Sequence, residues 1–154
     1  MYHHIMVPLD GSKLAECVLP HVEAIAKGCD APLVTLIRVV EPLRLHGGVE
    51  SRLSREERKS IEDDSMKVAK DYLGQLVKQF KSDGINAQLE VPYGDVVDSL
   101  VDFANKRAVD LLVIATHGRS GVSRWAWGSV ADRILRSACV PVFMVRAPGC
   151  IPGI

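Results

Sequence analysis

Five short apolar runs alternate along this chain of 154 residues with longer segments whose apolar residues recur at helical spacing. The second, fourth and fifth runs are almost continuously apolar, as is typical of strands buried on both faces of a sheet. The predicted strands are residues 4–9, 33–40, 86–91, 110–115 and 140–145. Strands that alternate with helices pair in parallel. The sequence therefore predicts an α/β fold, an open, doubly wound, five-stranded parallel sheet with helices on both faces.

Four helices are predicted between these strands. The first begins near Ser12, and Pro20 inside it predicts a kink, because an interior proline costs about 3 kcal/mol. The others are predicted at about 54–82, 95–106 and 128–137, and Gly84 is placed to end the second. The third strand alternates apolar and polar residues, so we expect it at an edge of the sheet.

Size, charge and cysteine content narrow the class of protein. The length suits one domain, predicted over residues 1–147 with a short tail at 148–154. The net charge is +0, from 19 basic and 19 acidic side chains, which gives no bulk attraction to nucleic acid. No C-x-x-C pair, secretory signal or membrane-spanning apolar run is visible. We therefore expect a cytoplasmic protein with reduced thiols that binds neither nucleic acid nor membrane.

One strand-to-helix junction, "ATHGRSGVSRWAWGSVADRI" (residues 115–134), is rich in glycine and hydroxyl side chains. Gly118 and Gly121 can leave backbone N–H groups open to a ligand. Gly128 and Ser129 open a helix, whose unpaired N–H groups and positive dipole end favour an anion such as phosphate. Tight packing of the turn is the alternative explanation. In open α/β sheets, ligands bind at the carboxyl ends of the strands where the winding reverses, so "VPLDGS" at the end of the first strand is the second candidate segment.

These segments carry a resemblance that covers essentially the whole chain. The stretches "HHIMVPLDGS", "DLLVIATHGRSGVSRWAWGSVADRILR" and "VPVFMV" resemble the UspA-like universal stress protein family, and in particular its ATP-binding members. The nucleotide-binding pattern of that family is G-x-x-G, nine residues, then G-[ST]. Gly118 and the pair Gly128–Ser129 match it, and Ala115 stands where the family has its first glycine. A methyl group there either crowds the ribose or is harmless if the backbone φ is negative.

The resemblance implies an adenine nucleotide alpha hydrolase-like fold and ATP as the ligand. Pro8 and Asp10 would border the adenine and ribose, and Val39 would offer backbone groups to the adenine. The residues implied around the ribose and phosphates are Ala115, Thr116, His117, Gly118, Arg119, Ser120, Gly121, Gly128, Ser129, Val130 and Ala131. Asp10 either coordinates a metal ion, Mg²⁺ or Mn²⁺, together with the phosphates or caps the first helix.

The last predicted strand would expose apolar residues if it lies at a sheet edge. The resemblance implies that two subunits pair there as a homodimer, through Val140, Val142, Phe143, Met144 and Val145. No nucleophile, base and orienting group come together near the glycine-rich stretch, so we expect a regulatory stress-response protein with an unknown protein partner rather than an enzyme. The alternatives are a dimeric interaction module that binds no nucleotide and a slow ATPase or nucleotidyl transferase.

Overall fold

The computed structural model describes residues 1–43, 54–116 and 129–146. Five parallel strands form one sheet in the order β3-β2-β1-β4-β5. They are β1 (His4–Pro8), β2 (Leu33–Ile37), β3 (Ala87–Glu90), β4 (Leu111–Ala115) and β5 (Val142–Val145). The predicted fold class is confirmed, and β3 lies at an edge, as its alternating sequence predicts.

Four α-helices connect the strands. They are α1 (Leu19–Cys29), α2 (Arg55–Ser82), α3 (Val96–Lys106) and α4 (Ser129–Ser137). None of the helices in the described part of the chain is both long enough and apolar enough to cross a bilayer. Each helix lies between two consecutive parallel strands and is the crossover that connects them, as the sequence predicts.

The start of the first helix differs from the prediction. A 3₁₀ turn at Ala15–Val18 comes first, and α1 then begins at Leu19. Pro20 consequently lies in the first turn of α1, where its missing N–H group has no helical partner to lose. Pro20 therefore does not kink a continuous helix. It lies just inside the boundary between the 3₁₀ turn and α1, at a position where a helix tolerates proline.

Long helix α2 has well-defined ends. The Ser54 hydroxyl accepts from the backbone N–H of Glu57 at 3.1 Å, and the Glu57 carboxylate accepts from the backbone N–H of Ser54 at 2.7 Å. This reciprocal pair is a capping box, which satisfies two donors at the helix start. Gly84 follows the helix at φ +80°, a conformation that glycine adopts without strain. The predicted bounds are confirmed to within a residue.

Two apolar cores lie on opposite faces of the sheet, because successive residues of a strand point to opposite sides. Ile5 and Val7 of the central strand β1 pack in a core shared with α1 and α2, whereas Met6 packs in a core shared with α3 and α4. All three side chains are fully buried. The two cores hold the ends of β1 and β4 in place from both sides.

At the amino edge of the sheet, Asp110 joins β4 to β1. Its two carboxylate oxygens accept from the backbone N–H groups of His4 at 3.0 Å and His3 at 2.7 Å. Partial burial tends to raise the pKa of Asp110, but these donors outweigh it and hold the pKa below its usual value. The ionised carboxylate therefore holds the start of the central strand β1 through these hydrogen bonds.

A buried polar chain crosses the sheet beside it. His4 Nδ1 lies 2.9 Å from the carbonyl oxygen of Arg107, and His4 Nε2 lies 2.7 Å from the hydroxyl of Thr35. A carbonyl only accepts, so Nδ1 carries a proton and donates to Arg107. Gln88 donates to the Thr35 oxygen at 2.9 Å. These bonds give both ring nitrogens of His4 a partner and link β1, β2 and β3.

Candidate functional site

The winding of the sheet reverses between β1 and β4. From β1 the chain proceeds outward through β2 to β3, whereas β4 and β5 lie on the other side of β1. The carboxyl ends of β1 and β4 are therefore neighbours, and the chain leaves them on opposite sides of the sheet. This divergence opens a crevice above the strand ends, which is where ligands bind in folds of this kind.

A cavity of about 820 Å³ occupies this position. Its volume lies within the range of about 300–1,000 Å³ that is usual for small-molecule sites. From the strand ends it is lined by Pro8, Asp10, Val39, Glu41, Ala115 and Thr116. From the helices it is lined by Ile61, Asp64, Ser65 and Val68 of α2, Val96 and Leu100 of α3, and Val130 and Ala131 of α4. Three separate strand ends and three helices thus contribute to a single space.

Seven residues of the predicted site line this cavity. They are Pro8, Asp10, Val39, Ala115, Thr116, Val130 and Ala131. Ser129 is the first residue of α4. The other predicted residues, His117, Gly118, Arg119, Ser120, Gly121 and Gly128, lie outside the described residues. Segments far apart in the sequence are therefore brought together at the switch point of the sheet.

Asp10 and Ser12 shape the turn that follows β1. Asp10 Oδ1 accepts from the backbone N–H of Ser12 at 2.8 Å, and the Ser12 hydroxyl accepts from the backbone N–H of Ala15 at 3.2 Å. Ser12 thus caps the first helical turn, and Asp10 supports the turn before it. Within the described parts of the chain, no group of three or more His, Cys, Asp or Glu side chains is arranged to hold a metal ion.

Ala115 fits its place in the backbone. It is the last residue of β4, is paired with Val145 and is buried. Among the described residues other than glycine, only Asp30 and Ala108 have positive φ. An alanine therefore causes no backbone strain at the position where the family pattern has glycine, and Ala115 lines the cavity while packing in the core shared with α1 and α2.

Helix α4 begins at the rim of the cavity. Val130 and Ala131 in its first turn line the cavity, and the fully buried Ile134 anchors the helix in the core shared with α3. The first N–H groups of a helix lack intrahelical acceptors, and the helix dipole makes this end positive. The arrangement favours an anionic group at this end of the cavity.

Arg38 also lines the cavity, although no pattern in the sequence predicts its role. It follows β2, and its guanidinium lies 5.6 Å from the centre of the Tyr72 ring of α2. Gly11 lies directly against it at φ +87°, and a Cβ atom added there would be 2.8 Å from Arg38 Nη1. Arg38 therefore packs against the turn after β1 and supports it.

Tyr72 extends this support toward the first helical turn. Its hydroxyl donates to Glu16 at 3.1 Å, and Glu16 also accepts from Lys13 at 2.7 Å. Burial and the Glu16 carboxylate raise the pKa of Tyr72, so the phenol stays protonated and remains a donor. The segment from Asp10 to Glu16 is consequently held to both β2 and α2.

The start of α2 contributes a wall that the sequence did not predict. Ile61, Asp64, Ser65 and Val68 line the cavity, although they lie in a charged segment that favours a solvated face. The signal was the pair of apolar residues seven positions apart, on one face of the helix. Two apolar residues among many charges were too weak a pattern to identify this wall.

The last strand lies at the free edge of the described sheet. Of the predicted interface residues in β5, Val145 is buried, Val142 and Met144 are half-buried, and Phe143 is 41% exposed. Val140 lies just before the strand and is half-buried. The Phe143 ring lies 6.0 Å from that of His21 in α1. An apolar side chain thus stands exposed beside an unpaired strand edge.

Comparisons with known proteins agree with this arrangement. The model of the universal stress protein family matches residues 1–146. The universal stress protein MJ0531 of Methanocaldococcus jannaschii is 31% identical over 154 residues, which cover 96% of this chain and 84% of that protein.

Two solved structures share the fold. MJ0577, also of Methanocaldococcus jannaschii, superimposes with a TM-score of 0.83 at 24% identity, over 97% of this chain and 99% of that one. A universal stress protein family protein from Arabidopsis thaliana, solved with AMP bound, superimposes with a TM-score of 0.67 at 16% identity, over 96% and 93% of the two chains. The family match over nearly the whole length, together with the relative at 31% identity, shows that this chain belongs to the universal stress protein family.

Proposed function

We propose that this protein binds an adenine nucleotide, ATP, in the cavity at the carboxyl edge of its sheet. The observation that carries the proposal is the convergence of seven expected site residues, from three strand ends and α4, on one cavity at the switch point. Its volume of about 820 Å³ is large enough for a nucleoside triphosphate. The AMP found in the Arabidopsis relative supports the same class of ligand.

The ligand would lie across the strand ends with its phosphates at α4. Val130 and Ala131 mark that end of the cavity, where the helix N-terminus favours negative charge. Asp10 would face the ribose, since a carboxylate is a good acceptor for hydroxyl groups. Val39, at the end of β2, would lie beside the adenine. Mg²⁺ or Mn²⁺, if it accompanies the phosphates, would have the Asp10 carboxylate as a ligand from this chain.

In the proposed role the nucleotide is a regulatory ligand of a cytoplasmic stress-response protein, and its occupancy changes the surface that a protein partner meets. The proposed assembly is a homodimer through β5. An unpaired parallel edge with the exposed ring of Phe143 supports it, because pairing of two such edges would satisfy the backbone groups and cover the ring.

A matched pair of variants in α4 tests nucleotide binding. Val130→Glu places a carboxylate in the cavity at the phosphate end, whereas Leu135→Glu makes the same kind of change at an exposed position of the same helix. Val130→Glu places its negative charge in the first turn of α4, where the helix dipole favours it, and Leu135 is 45% exposed, so both variants should fold. By calorimetric titration with ATP and Mg²⁺, we expect Val130→Glu to weaken binding by about tenfold or more, which corresponds to about 1.4 kcal/mol.

Leu135→Glu should bind ATP like the unmodified protein. Mass analysis of the nucleotide released from freshly purified, denatured protein gives an independent test. Released ATP would support a regulatory ligand, whereas released ADP or AMP would favour the slow ATPase. If the unmodified protein neither carries nor binds a nucleotide, the proposal is wrong and the dimeric module without nucleotide becomes the better explanation.

A further inference from the structure

Helix α2 is much longer than the sheet on which it packs. Its 28 residues span about 42 Å, whereas a strand of five residues spans about 17 Å. The buried residues of α2 are Ala69, Leu73, Val77 and Phe80, all in its second half. The first half, residues 55–68, is about 21 Å long and contains no buried residue. This half extends past the packed part of the helix and forms the overhang of α2.

One face of the overhang is turned to the cavity. Ile61, Asp64, Ser65 and Val68 are spaced i, i+3, i+4 and i+7, so they lie on the same side of the helix, and all four line the cavity. Ile61 is 39% exposed and Val68 is 59% exposed. Two large apolar side chains are thus presented to the ligand space by a helix segment that is otherwise strongly charged.

A capping box and a hydrogen bond to a neighbouring segment stabilise the overhang. The capping box of Ser54 and Glu57 stabilises its first turn. Farther along, the hydroxyl of Tyr93 donates to Glu62 of the overhang, and Tyr93 itself forms a β-bridge with Val40 after β2. The overhang is therefore tied to the segment after β2, beside the strand end where Val39 lines the cavity.

The position of the overhang relative to α4 decides which part of a nucleotide would meet it. Neighbouring strands lie about 4.8 Å apart, so the end of β2 is about 10 Å from the end of β4, where α4 would receive the phosphates. A nucleotide laid across the edge with its phosphates at α4 therefore brings its base to the end of β2. There Val39 lines the cavity together with the apolar face of the overhang, which is tied through Tyr93 to the neighbouring residue Val40.

We propose that the overhang of α2 is the base-binding wall of the site, in which Ile61 and Val68 pack against the face of the nucleotide base. This inference rests on the proposed nucleotide-binding function and adds the residues that recognise the base. The two side chains meet the base by apolar contact, and Ser65 between them donates its hydroxyl to the Ile61 carbonyl rather than to the ligand. The contribution of Ile61 and Val68 to base affinity is therefore one of shape and apolar area, beside the backbone groups that Val39 would offer to the adenine.

The experiment compares two double variants of α2. Ile61→Ala/Val68→Ala removes the apolar wall, and Asp63→Ala/Lys70→Ala makes changes with the same spacing at exposed positions on the other side of the helix without altering the net charge. Alanine is the best helix former, and all four positions are exposed, so both proteins should fold. Each is titrated with ATP and with inorganic tripolyphosphate, which has the phosphates but no base.

We expect the wall variant to bind ATP about tenfold more weakly and tripolyphosphate unchanged, because only the base loses apolar contact. The control variant should bind both as the unmodified protein does. An unchanged affinity of the wall variant for ATP, or an equal loss for ATP and tripolyphosphate, would overturn the proposal. Failure of the unmodified protein to bind ATP at all would instead refute the underlying nucleotide-binding function, and the wall with it.

Discussion

Gly11 gives the sharpest test of how the site is built. It lies in the turn after β1, at φ +87°, and an added Cβ atom would meet Nη1 of Arg38 at 2.8 Å and its Cζ at 3.1 Å. Gly11→Ala therefore introduces two faults together, a backbone conformation that L-residues avoid and a close contact with the guanidinium that supports the turn.

The magnitude follows from these two faults. A residue with a Cβ atom pays about 1–2 kcal/mol in the left-handed region, and the reduced freedom of the unfolded chain offsets about 0.4–1 kcal/mol of that. Displacing Arg38 from the Tyr72 ring loses about 0.5–1 kcal/mol more. We expect Gly11→Ala to lower the free energy of unfolding by about 1.5 kcal/mol, which lowers Tm by about 3–6 °C in a chain of this size.

Urea unfolding followed by circular dichroism measures this loss, with Gly28→Ala as the matched control. Gly28 lies in α1, and no atom is within 4 Å of a Cβ atom added there. The same substitution should therefore stabilise the protein at that position, by about 0.5–1 kcal/mol. In an Arg38→Ala background the loss at Gly11 should shrink to the backbone cost alone.

Two results would refute this reasoning. A Gly11→Ala protein as stable as the unmodified one would show that the turn adopts another conformation. An undiminished loss in the Arg38→Ala background would show that the new methyl group does not meet the guanidinium, and that Arg38 has no part in holding the turn.

The remaining predictions concern the amino edge and the free edge of the sheet. Thr35→Val should cost about 1–3 kcal/mol in urea unfolding, because His4 and Gln88 both lose a buried partner; a loss below about 0.5 kcal/mol would contradict the network. The pKa of Asp110 is lower in the folded protein than in the unfolded chain. The contribution of Asp110 to the free energy of unfolding is therefore present above the unfolded pKa of about 3.9 and is lost as the pH falls through the folded pKa. The stability difference between the unmodified protein and Asp110→Asn should accordingly be constant above about pH 5 and shrink toward pH 3, and a difference that grows on acidification would refute it. If the proposed homodimer forms through β5, light scattering should show the unmodified protein at twice the mass of one chain and Phe143→Asp as a monomer of 16.8 kDa, whereas a dimeric mass that Phe143→Asp leaves unaltered would exclude β5 as the interface.

Most of the fold is predictable from the sequence because burial imposes its periodicity directly on the residues. The run at Leu111–Ala115 is apolar at every position, since the strand is covered on both faces. The edge position of β3 is predictable because its apolar and polar residues alternate, as in a strand that is not covered on both faces. The ends of α2 are predictable because they depend on a few local residues, the capping residue Ser54 and the glycine Gly84.

Contacts between distant segments escape such analysis. Nothing in the sequence near Gly11 says that Arg38 lies against it, because that approach depends on how β2 is placed beside β1. The prediction of a kink at Pro20 is wrong for a related reason. The 3₁₀ turn before Pro20 ends at Val18, which is buried in the core among residues from distant segments. The wall on α2 is likewise defined by the length of the helix relative to the sheet.

The two halves of α2 differ in how strongly the folded core constrains their residues. Substitutions in the second half disturb Leu73 and Phe80, which are fully buried in the core, and so threaten the fold itself. Substitutions in the first half leave every core contact intact, because none of its residues is buried. Apart from Glu57 in the capping box and Glu62, which accepts from Tyr93, this half can therefore vary without disturbing the core, and one scaffold can supply differently shaped sites from the same architecture.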